Sequence, residues 1–554
     1  MNKVSYFLTV LLFSGSMAFA QKATTETTPK NWHQLDKATT GYYGISLDKA
    51  YSFIKEKKLK SKTVLVAIID SGIDSTQEDL KKIFWTNSKE IPGNGKDDDH
   101  NGYIDDVHGW NFLGGKDGRD VNTDSYEAAR VYNAMKAKYG SNIPDSSSVP
   151  QSEWADIATY KKAQQKLTGD INPQEIDFIK QMMPKFLAGD SIIAKDLGKS
   201  EYSCKDLENY TSGSDTAMLV KKFLQALCKG NGSDDISNKE IIGQMNGELG
   251  KADAATNPPR EYRKEIVKDD ETNINDRDYG NNDLTAETPF HGTHCAGIIG
   301  AIRDNGIGVN GIADNVRIMM VRAVPDGDEH DKDIANAIRY AVNNGAQIIS
   351  MSFGKDFSPQ KQWVDDAVKY AESKGVLMVH AAGNDGKNLD STDNFPTPNY
   401  LNNTGRAKTW ITVGASGDPK LGGLVAEFSN YGKKEVDVFA PGVQIYSTIP
   451  TTNKYGTASG TSMACPVVAG IAALVLEYYP NLSAAQLKYV IENSVQVPDI
   501  KVTIPHTDST VNMSDISKTG GIVNAYAALK LASTLKGERK AVKVVASKTK
   551  KAKS

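Results

Sequence analysis

An α/β fold, with a parallel sheet covered by helices on both faces, is what this 554-residue sequence predicts. Three observations predict it. Short apolar runs recur at Val64–Ile69, Val316–Val321, Gln347–Met351, Val376–His380 and Trp410–Val413. Helical patterns fall between several of them, as at Asp333–Asn343 and Lys361–Lys374. Apolar strands that alternate with helices argue a parallel sheet. A long polar stretch of helical spacing, about 120–280, interrupts the alternation and reads as an insertion.

Taken in order, residues 1–20 read as an export signal. Lys3 supplies the positive start, Val4–Phe13 is largely apolar, and Ala18-Phe19-Ala20 places small residues before a cut ahead of Gln21. No Cys follows the cut, so a lipid anchor is not indicated, and no later apolar run reads as long enough to span a bilayer. Residues 21–45 form an N-terminal extension, with Trp32–Ala50 expected to dock on the domain that follows. That domain is expected over 46–535. Within the insertion, Tyr126–Tyr139, Trp154–Leu167, Pro173–Leu187 and Asp215–Lys229 carry helical spacing. Gly140, Gly189 and Gly230 read as stops, and Pro184 as a break or kink. Residues 536–554 form a basic tail, expected to be solvated. The net charge of −3 and the lack of any other basic run speak against a nucleic-acid partner.

Four cysteines are few for an exported chain. Cys204 and Cys228 both lie in the insertion and could form a disulfide. Cys295 and Cys465 read as buried thiols, with a bond between them as the other possibility.

The chemistry sits in three fragments. Gly460-Thr461-Ser462-Met463-Ala464-Cys465-Pro466 sets a Ser among small residues, with a Pro four residues later and an apolar run beyond. It reads as a nucleophile at the start of a buried helix. Asp70-Ser71-Gly72 closes the first apolar run, and His291-Gly292-Thr293-His294 lies between. Alone, Asp-Ser-Gly is a turn signal, and two His three apart with no nearby carboxylate make a poor zinc site. Together they offer an orienter, a base and a nucleophile. A Ser hydroxyl needs a base to take its proton as it attacks a carbonyl. His titrates nearest neutral pH, and a carboxylate on its far ring nitrogen fixes the tautomer.

A second motif, residues 97–106, suits a hard cation. Asp97, Asp99, Asn101, the Tyr103 carbonyl and Asp105 follow the spacing of EF-hand calcium ligands, with Gly102 at the bend. Position twelve is His108 rather than Glu, so Asp106 or a distant carboxylate would close the shell. A structural Ca²⁺ is expected there; the alternative is a solvated acidic turn. The Asp/Asn-rich stretch 270–283 has irregular spacing and is assigned no metal.

In these motifs and their chain order the sequence resembles the subtilisin-like serine peptidases, the subtilases or S8 family. The resemblance covers about 45–120 and 280–535 and extends to Gly311-Ile312-Ala313, Ser350–Gly354, Ala381–Asn384, Phe428–Gly432, Phe439–Gly442 and Gly521–Ala525. It implies a subtilisin-like sheet and an exported serine endopeptidase that cleaves proteins through an acyl-enzyme, with no cofactor for catalysis. By the family's motif Ser462 is the nucleophile, His291 rather than His294 the base, and Asp70 its orienter. Asn384 and the Ser462 N–H would bind the oxyanion. Ser352, Phe353 and Gly354 resemble one wall of the family's S1 pocket and Ala381, Ala382 and Gly383 the other, with Asp385 at the border. Large apolar side chains, and basic ones, are expected there, on peptides bound in extended form. Cys295 matches a buried free Cys of proteinase K-like members, and a monomer is expected.

The chain departs from the pattern in the long Asp70–His291 separation, in having too few residues before Val64 for a folded pro-domain, and in Val467, where many members have His. The insertion reads either as a surface decoration or as a gate on the cleft. The alternatives are thus a narrow-specificity processing peptidase, an inactive subtilase-fold binding protein, or a calcium-dependent surface module.

Overall fold

The computed structural model describes residues 28–539, apart from 170–171, 200–201, 232–235, 255–256, 288 and 451–453. The export signal and the end of the basic tail lie outside the described residues. Seven strands, β1 (Val64–Asp70), β2 (Gly109–Asn111), β3 (Val316–Arg322), β4 (Ile348–Met351), β5 (Leu377–Ala381), β6 (Trp410–Ser416) and β7 (Val438–Pro441), make one parallel sheet. Their order is β2-β3-β1-β4-β5-β6-β7. The order reverses at β1, and ligands of open α/β sheets bind beyond the carboxyl ends of strands at such a point.

Helix α1 (Leu47–Glu56) precedes β1. The insertion holds α2 (Glu127–Tyr139), α3 (Trp154–Gly169), α4 (Pro173–Leu197), α5 (Asp215–Asn231) and α6 (Asn238–Ala254). Then follow α7 (Phe290–Gly300), α8 (Asp331–Asn343), α9 (Lys361–Ser373), α10 (Thr461–Tyr478), α11 (Ala484–Glu492) and α12 (Ala525–Ala532). Alternate residues of β1 point to opposite faces. Val66 and Ile68 pack with Ile298 of α7, Val468 and Ala472 of α10 and Leu529 of α12, while Ala67 and Ile69 pack with Ile334 and Ile338 of α8 and Val368 of α9. Both faces are covered, which is why these strands read as unbroken apolar runs.

Helix α10 corrects one expectation: by length and composition it could cross a bilayer. It is instead the central core helix, with 89 % of its apolar window buried. The N-terminal extension docks as expected. Trp32 is fully buried and its indole N–H donates to the Val443 carbonyl at 3.1 Å.

The insertion is helical and has its own core, built from Phe186, Tyr202, Leu224, Leu227 and Ile241. Cys204 and Cys228 are bonded, while Cys295 and Cys465 are buried free thiols. One sequence expectation, the stop at Gly189, is overturned here, and the helix is not broken at Pro184. Helix α4 runs ten residues past Leu187, through both Pro184 and Gly189. Gly189 is no stop but a contact point: a Cβ there would lie 2.6 Å from the Thr216 carbonyl oxygen and 2.6 Å from Val220 Cγ2 of α5. Helix α6 was not foreseen at all.

Gly189→Ala therefore tests which effect wins. Alanine favours an exposed helix by about 1 kcal/mol, but overpacking costs about 1–3 kcal/mol. Net destabilisation of the insertion is the expected outcome, measured by hydrogen exchange across α4 and α5.

Candidate active site

Asp70 ends β1 with its carboxylate buried, 2 % exposed. Its Oδ1 accepts the Ser71 backbone N–H at 2.8 Å and faces His291 Nδ1 at 2.7 Å. A carboxylate only accepts, so the neutral ring places its proton on Nδ1 and leaves Nε2 free as a base. His291 stands in the first turn of α7, about one-third exposed toward a cleft. Burial opposes the imidazolium, but the charge of Asp70 and its hydrogen bond outweigh burial and raise the pKa above 6.5. His294, one turn on, plays no such part. Its Nε2 bonds the Ile445 carbonyl at 3.0 Å, and burial, with the nearby His291 charge, lowers its pKa to about 3.

Ser462 is the second residue of α10. Pro466 has no N–H to offer the Ser462 carbonyl one turn back. That carbonyl accepts instead from Ser352 Oγ at 3.0 Å and Cys295 Sγ at 3.4 Å, which fixes the backbone of the serine from outside the helix. The Ser462 hydroxyl donates to the Ser352 carbonyl at 3.1 Å. Neither cysteine is a competing nucleophile: burial raises the Cys295 thiol well above its usual pKa and pushes Cys465 up to about 11.

The Asn384 side-chain oxygen accepts from the Thr461 N–H at 2.9 Å and the Thr461 hydroxyl at 2.8 Å, so its amide nitrogen is held on the other side. A Cβ on Gly460 would sit 3.6 Å from both Asn384 Nδ2 and the Ser462 nitrogen. Glycine there leaves open a spot flanked by two donors, one of them among the N–H groups that a helix start leaves without an intrahelical acceptor.

Asp70, His291, Ser462 and Asn384 all line one cavity of about 1240 Å³. Ser352, Phe353, Gly354, Ala381, Gly383 and Asp385 line it too. Ala382 does not: it is fully buried in a core cluster, and its carbonyl accepts from Asn430 Nδ2 at 2.8 Å. The opposite wall was not read from the sequence. It comes from Tyr126, from Ile179 of α4, from residues 242–248 of α6, and from Val324–Gly327 after β3. The clamping hydroxyl of Ser352 was also missed, because that residue was read only as pocket wall.

In the 97–106 motif several of the expected ligand side chains also accept N–H groups of their own loop. The Asp97 carboxylate accepts the N–H groups of Asn101 at 3.1 Å and Gly102 at 2.8 Å. Asp105 accepts those of Asn94 at 3.2 Å and Gly95 at 2.8 Å, and Asn101 Oδ1 accepts that of Tyr103 at 2.8 Å. Carboxylate oxygens of Asp99 and Asp106 lie within 4.8 Å of one another and of one from Glu90, outside the motif.

Comparison with known proteins agrees with this geometry. The profile of the subtilase family, peptidase S8, matches residues 61–521. A thermophilic serine proteinase of Bacillus sp. strain AK1 is 45% identical over 201 residues, 36% of this chain and 45% of that protein. Thermitase of Thermoactinomyces vulgaris is 39% identical over 221 residues, 39% of this chain and 71% of that protein. The major intracellular serine protease of Bacillus subtilis is 36% identical over 235 residues, 42% of this chain and 68% of that protein. The chain thus spans less than half of the AK1 proteinase and about seven-tenths of the other two.

The His291–Asp70 pair makes a testable statement about charge. Titration of the His291 ring by NMR should give a midpoint above 6.5, and Asp70→Asn should move it below 6.5, since only burial then remains. An unmoved midpoint would show that Asp70 does not set the ring's charge.

Proposed function

This chain belongs to the subtilase family of serine peptidases, and on that premise we propose that it is an exported endopeptidase that cleaves proteins through an acyl-enzyme. Ser462 Oγ attacks the peptide carbonyl while His291 Nε2 takes its proton. Asp70 holds the ring and stabilises the imidazolium. The carbonyl oxygen, now negative, enters the spot beside Gly460 between Asn384 Nδ2 and the Ser462 N–H. His291 returns the proton to the leaving amine, and water then hydrolyses the ester by the same route. The observation that carries this reading is the shared cavity on which the Asp70–His291 pair, Ser462 and the two-donor spot meet.

The Ser462 hydroxyl rests on the Ser352 carbonyl. An extended peptide laid along Ser352–Gly354 offers a backbone N–H to that carbonyl, which releases the hydroxyl toward His291. Catalytic hydrogen bonds often tighten only when substrate is bound. Export is supported by the pattern of residues 1–20.

A fluorophosphonate should label Ser462 and nothing in Ser462→Ala, read by mass spectrometry of the tagged peptide. Asn384→Ala should lower kcat by about 10²–10³. No label on the folded protein would favour the inactive binding fold.

A narrower peptidase is favoured by one observation: α4 and α6 of the insertion wall the same cavity as Ser462. We expect kcat/KM per bond to be about tenfold or more higher for a short extended peptide than for intact casein, equal to about 1.4 kcal/mol. Ile242→Ala, on the wall, should reduce that gap. Equal rates in the wild type would put the insertion out of the substrate's path.

A further inference from the structure

On the reading of this cleft as the place where a peptide substrate lies, we propose that Glu329 selects the substrate class. It receives a basic side chain, Lys or Arg, at a position of the peptide other than the one held by the S1 walls.

Glu329 follows Val324–Gly327 in the chain and lines the same cavity as Ser462. It is 1 % exposed, and its buried Oε1 has no hydrogen-bond partner. A buried carboxyl oxygen in that state is unfavourable, because burial has removed the water that solvated it. Two cations stand close by, and both are engaged elsewhere. A Lys ammonium has three hydrogens to donate. Those of Lys355 are matched by Glu127 Oε2 at 2.7 Å, Asp331 Oδ1 at 2.9 Å and the Glu329 backbone carbonyl at 2.8 Å. Arg130 serves Glu127, the carbonyls of Ser125 and Asp328 and, at 3.1 Å, the same Glu329 carbonyl. Both cations thus hold the backbone of Glu329 and leave its Oε1 unserved. A donor for that oxygen has to come from the cavity.

The charge of the cavity favours a cationic donor. Besides Asp70, its lining carries the carboxyl groups of Glu175, Glu248, Glu287, Asp326, Glu329 and Asp385. Against them, among the described residues, stand the Lys239 ammonium and the His291 ring. Asp385 is also met by Lys387 at 3.3 Å. A cleft lined by one sign of charge draws in the opposite sign. Its exposed carboxylates, such as Glu287 and Asp326, attract basic peptides in general. The buried one discriminates, because water screens exposed pairs. Lys and Arg carry their charge at the end of an apolar stem, which suits a carboxyl group sunk into the wall.

Burial, with the charges of Asp328 and Asp331, raises the Glu329 carboxyl well above the usual carboxylate range, and Lys355 opposes them. The other charged groups packed here are paired: Arg130 with Glu127, and His330 with Asp124 and Glu271. A cation in contact favours the ionised carboxylate. A basic peptide therefore binds with release of a proton, and its advantage over a neutral one grows as pH rises through the titration of Glu329.

The test uses the full chain carrying Ser462→Ala, so that binding is read without turnover. Fluorescence anisotropy compares labelled peptides that differ only by Lys or norleucine at each position in turn. One position should favour Lys by about tenfold or more, and the ratio should climb with pH. Cleavage of the same peptides by wild type, read by mass spectrometry, identifies the residue before the scissile bond. Adding Glu329→Gln, with the fold checked by circular dichroism, should bring the ratio near one and flatten its pH dependence. Glu329→Asp, which keeps the charge, should retain part of both. A chain that binds but never cleaves would fail as a peptidase and still show this preference, so the two readings fail separately. Four results would each overturn the assignment: no position that favours Lys, a preference confined to the residue before the scissile bond, a ratio that does not rise with pH, or a ratio kept intact in folded Glu329→Gln.

Discussion

Helix α10 has no face turned to solvent, and the geometry of the site follows from that. Its apolar residues are held between the sheet, α7 and α12, so its first turn is fixed against the carboxyl ends of β4 and β5. Ser462, the proposed nucleophile, therefore stands at the start of a helix that is buried almost along its whole length. Pro466 adds a second constraint. By withholding an N–H from the Ser462 carbonyl, it leaves that oxygen to Ser352 from β4's end and to Cys295 from α7. The same α7 carries His291. Ser462 and His291 are thus linked through the Cys295 thiol on the Ser462 carbonyl, apart from any bond between their own side chains.

The insertion is tied to this frame by charge. Lys355, just beyond β4, is buried and meets Glu127 of α2 at 2.7 Å and Asp331 of α8 at 2.9 Å. Arg130 pairs with Glu127 at 2.7 Å and donates to the carbonyls of Asp328 and Glu329. The neighbouring cations, foremost Arg130 and then Lys355, overcome burial and hold the Glu127 carboxyl below its usual range. Desolvation can exceed the attraction within such a cluster, so its worth lies in geometry more than in stability. Each group removed leaves an uncompensated buried charge. The charges fix where α2 enters, and α2 places Tyr126 at the cavity wall.

The central strands were legible because a parallel sheet buried on both faces writes long apolar runs, and β1, β3 and β6 each lie within a residue or a few of the expected bounds. Strand β2 has only Gly109–Asn111 and no run to read. Helix α6 was illegible for a different reason. It carries Gly243, Gly247 and Gly250, and part of its surface faces a cavity rather than a core, so neither propensity nor periodicity marks it. Gly189 misled because close helix packing and helix termination both select glycine. Asp70, His291, Ser462 and Asn384, singled out by their motifs, are brought by the fold to one cavity. Ala382 was carried along by its neighbours, although alternation along an extended segment turns every second residue away from the cleft.

Two acidic neighbourhoods show why charge count alone does not identify a cation site. Around the start of α8, Asp124, Asp269, Asp331 and Asp333 are matched by Arg263, Lys332, Lys355 and the His330 ring, most of them buried and in contact. Arg263 meets Asp269 at 2.9 Å and also pairs with Asp333, Lys332 meets Asp269 at 2.6 Å, and His330 meets Asp124 at 3.1 Å. Side-chain cations from the chain itself lie against those carboxylates. At Glu90, Asp99 and Asp106 the nearest cation is Lys89, 3.4 Å from Asp99 with its side chain 72 % exposed, and it reaches the oxygen that Asn87 already serves. Water screens an exposed ammonium. The chain therefore pairs one cluster with its own lysines and arginines and leaves in the other two buried carboxylate oxygens, Glu90 Oε2 and Asp99 Oδ1, without a hydrogen-bond partner.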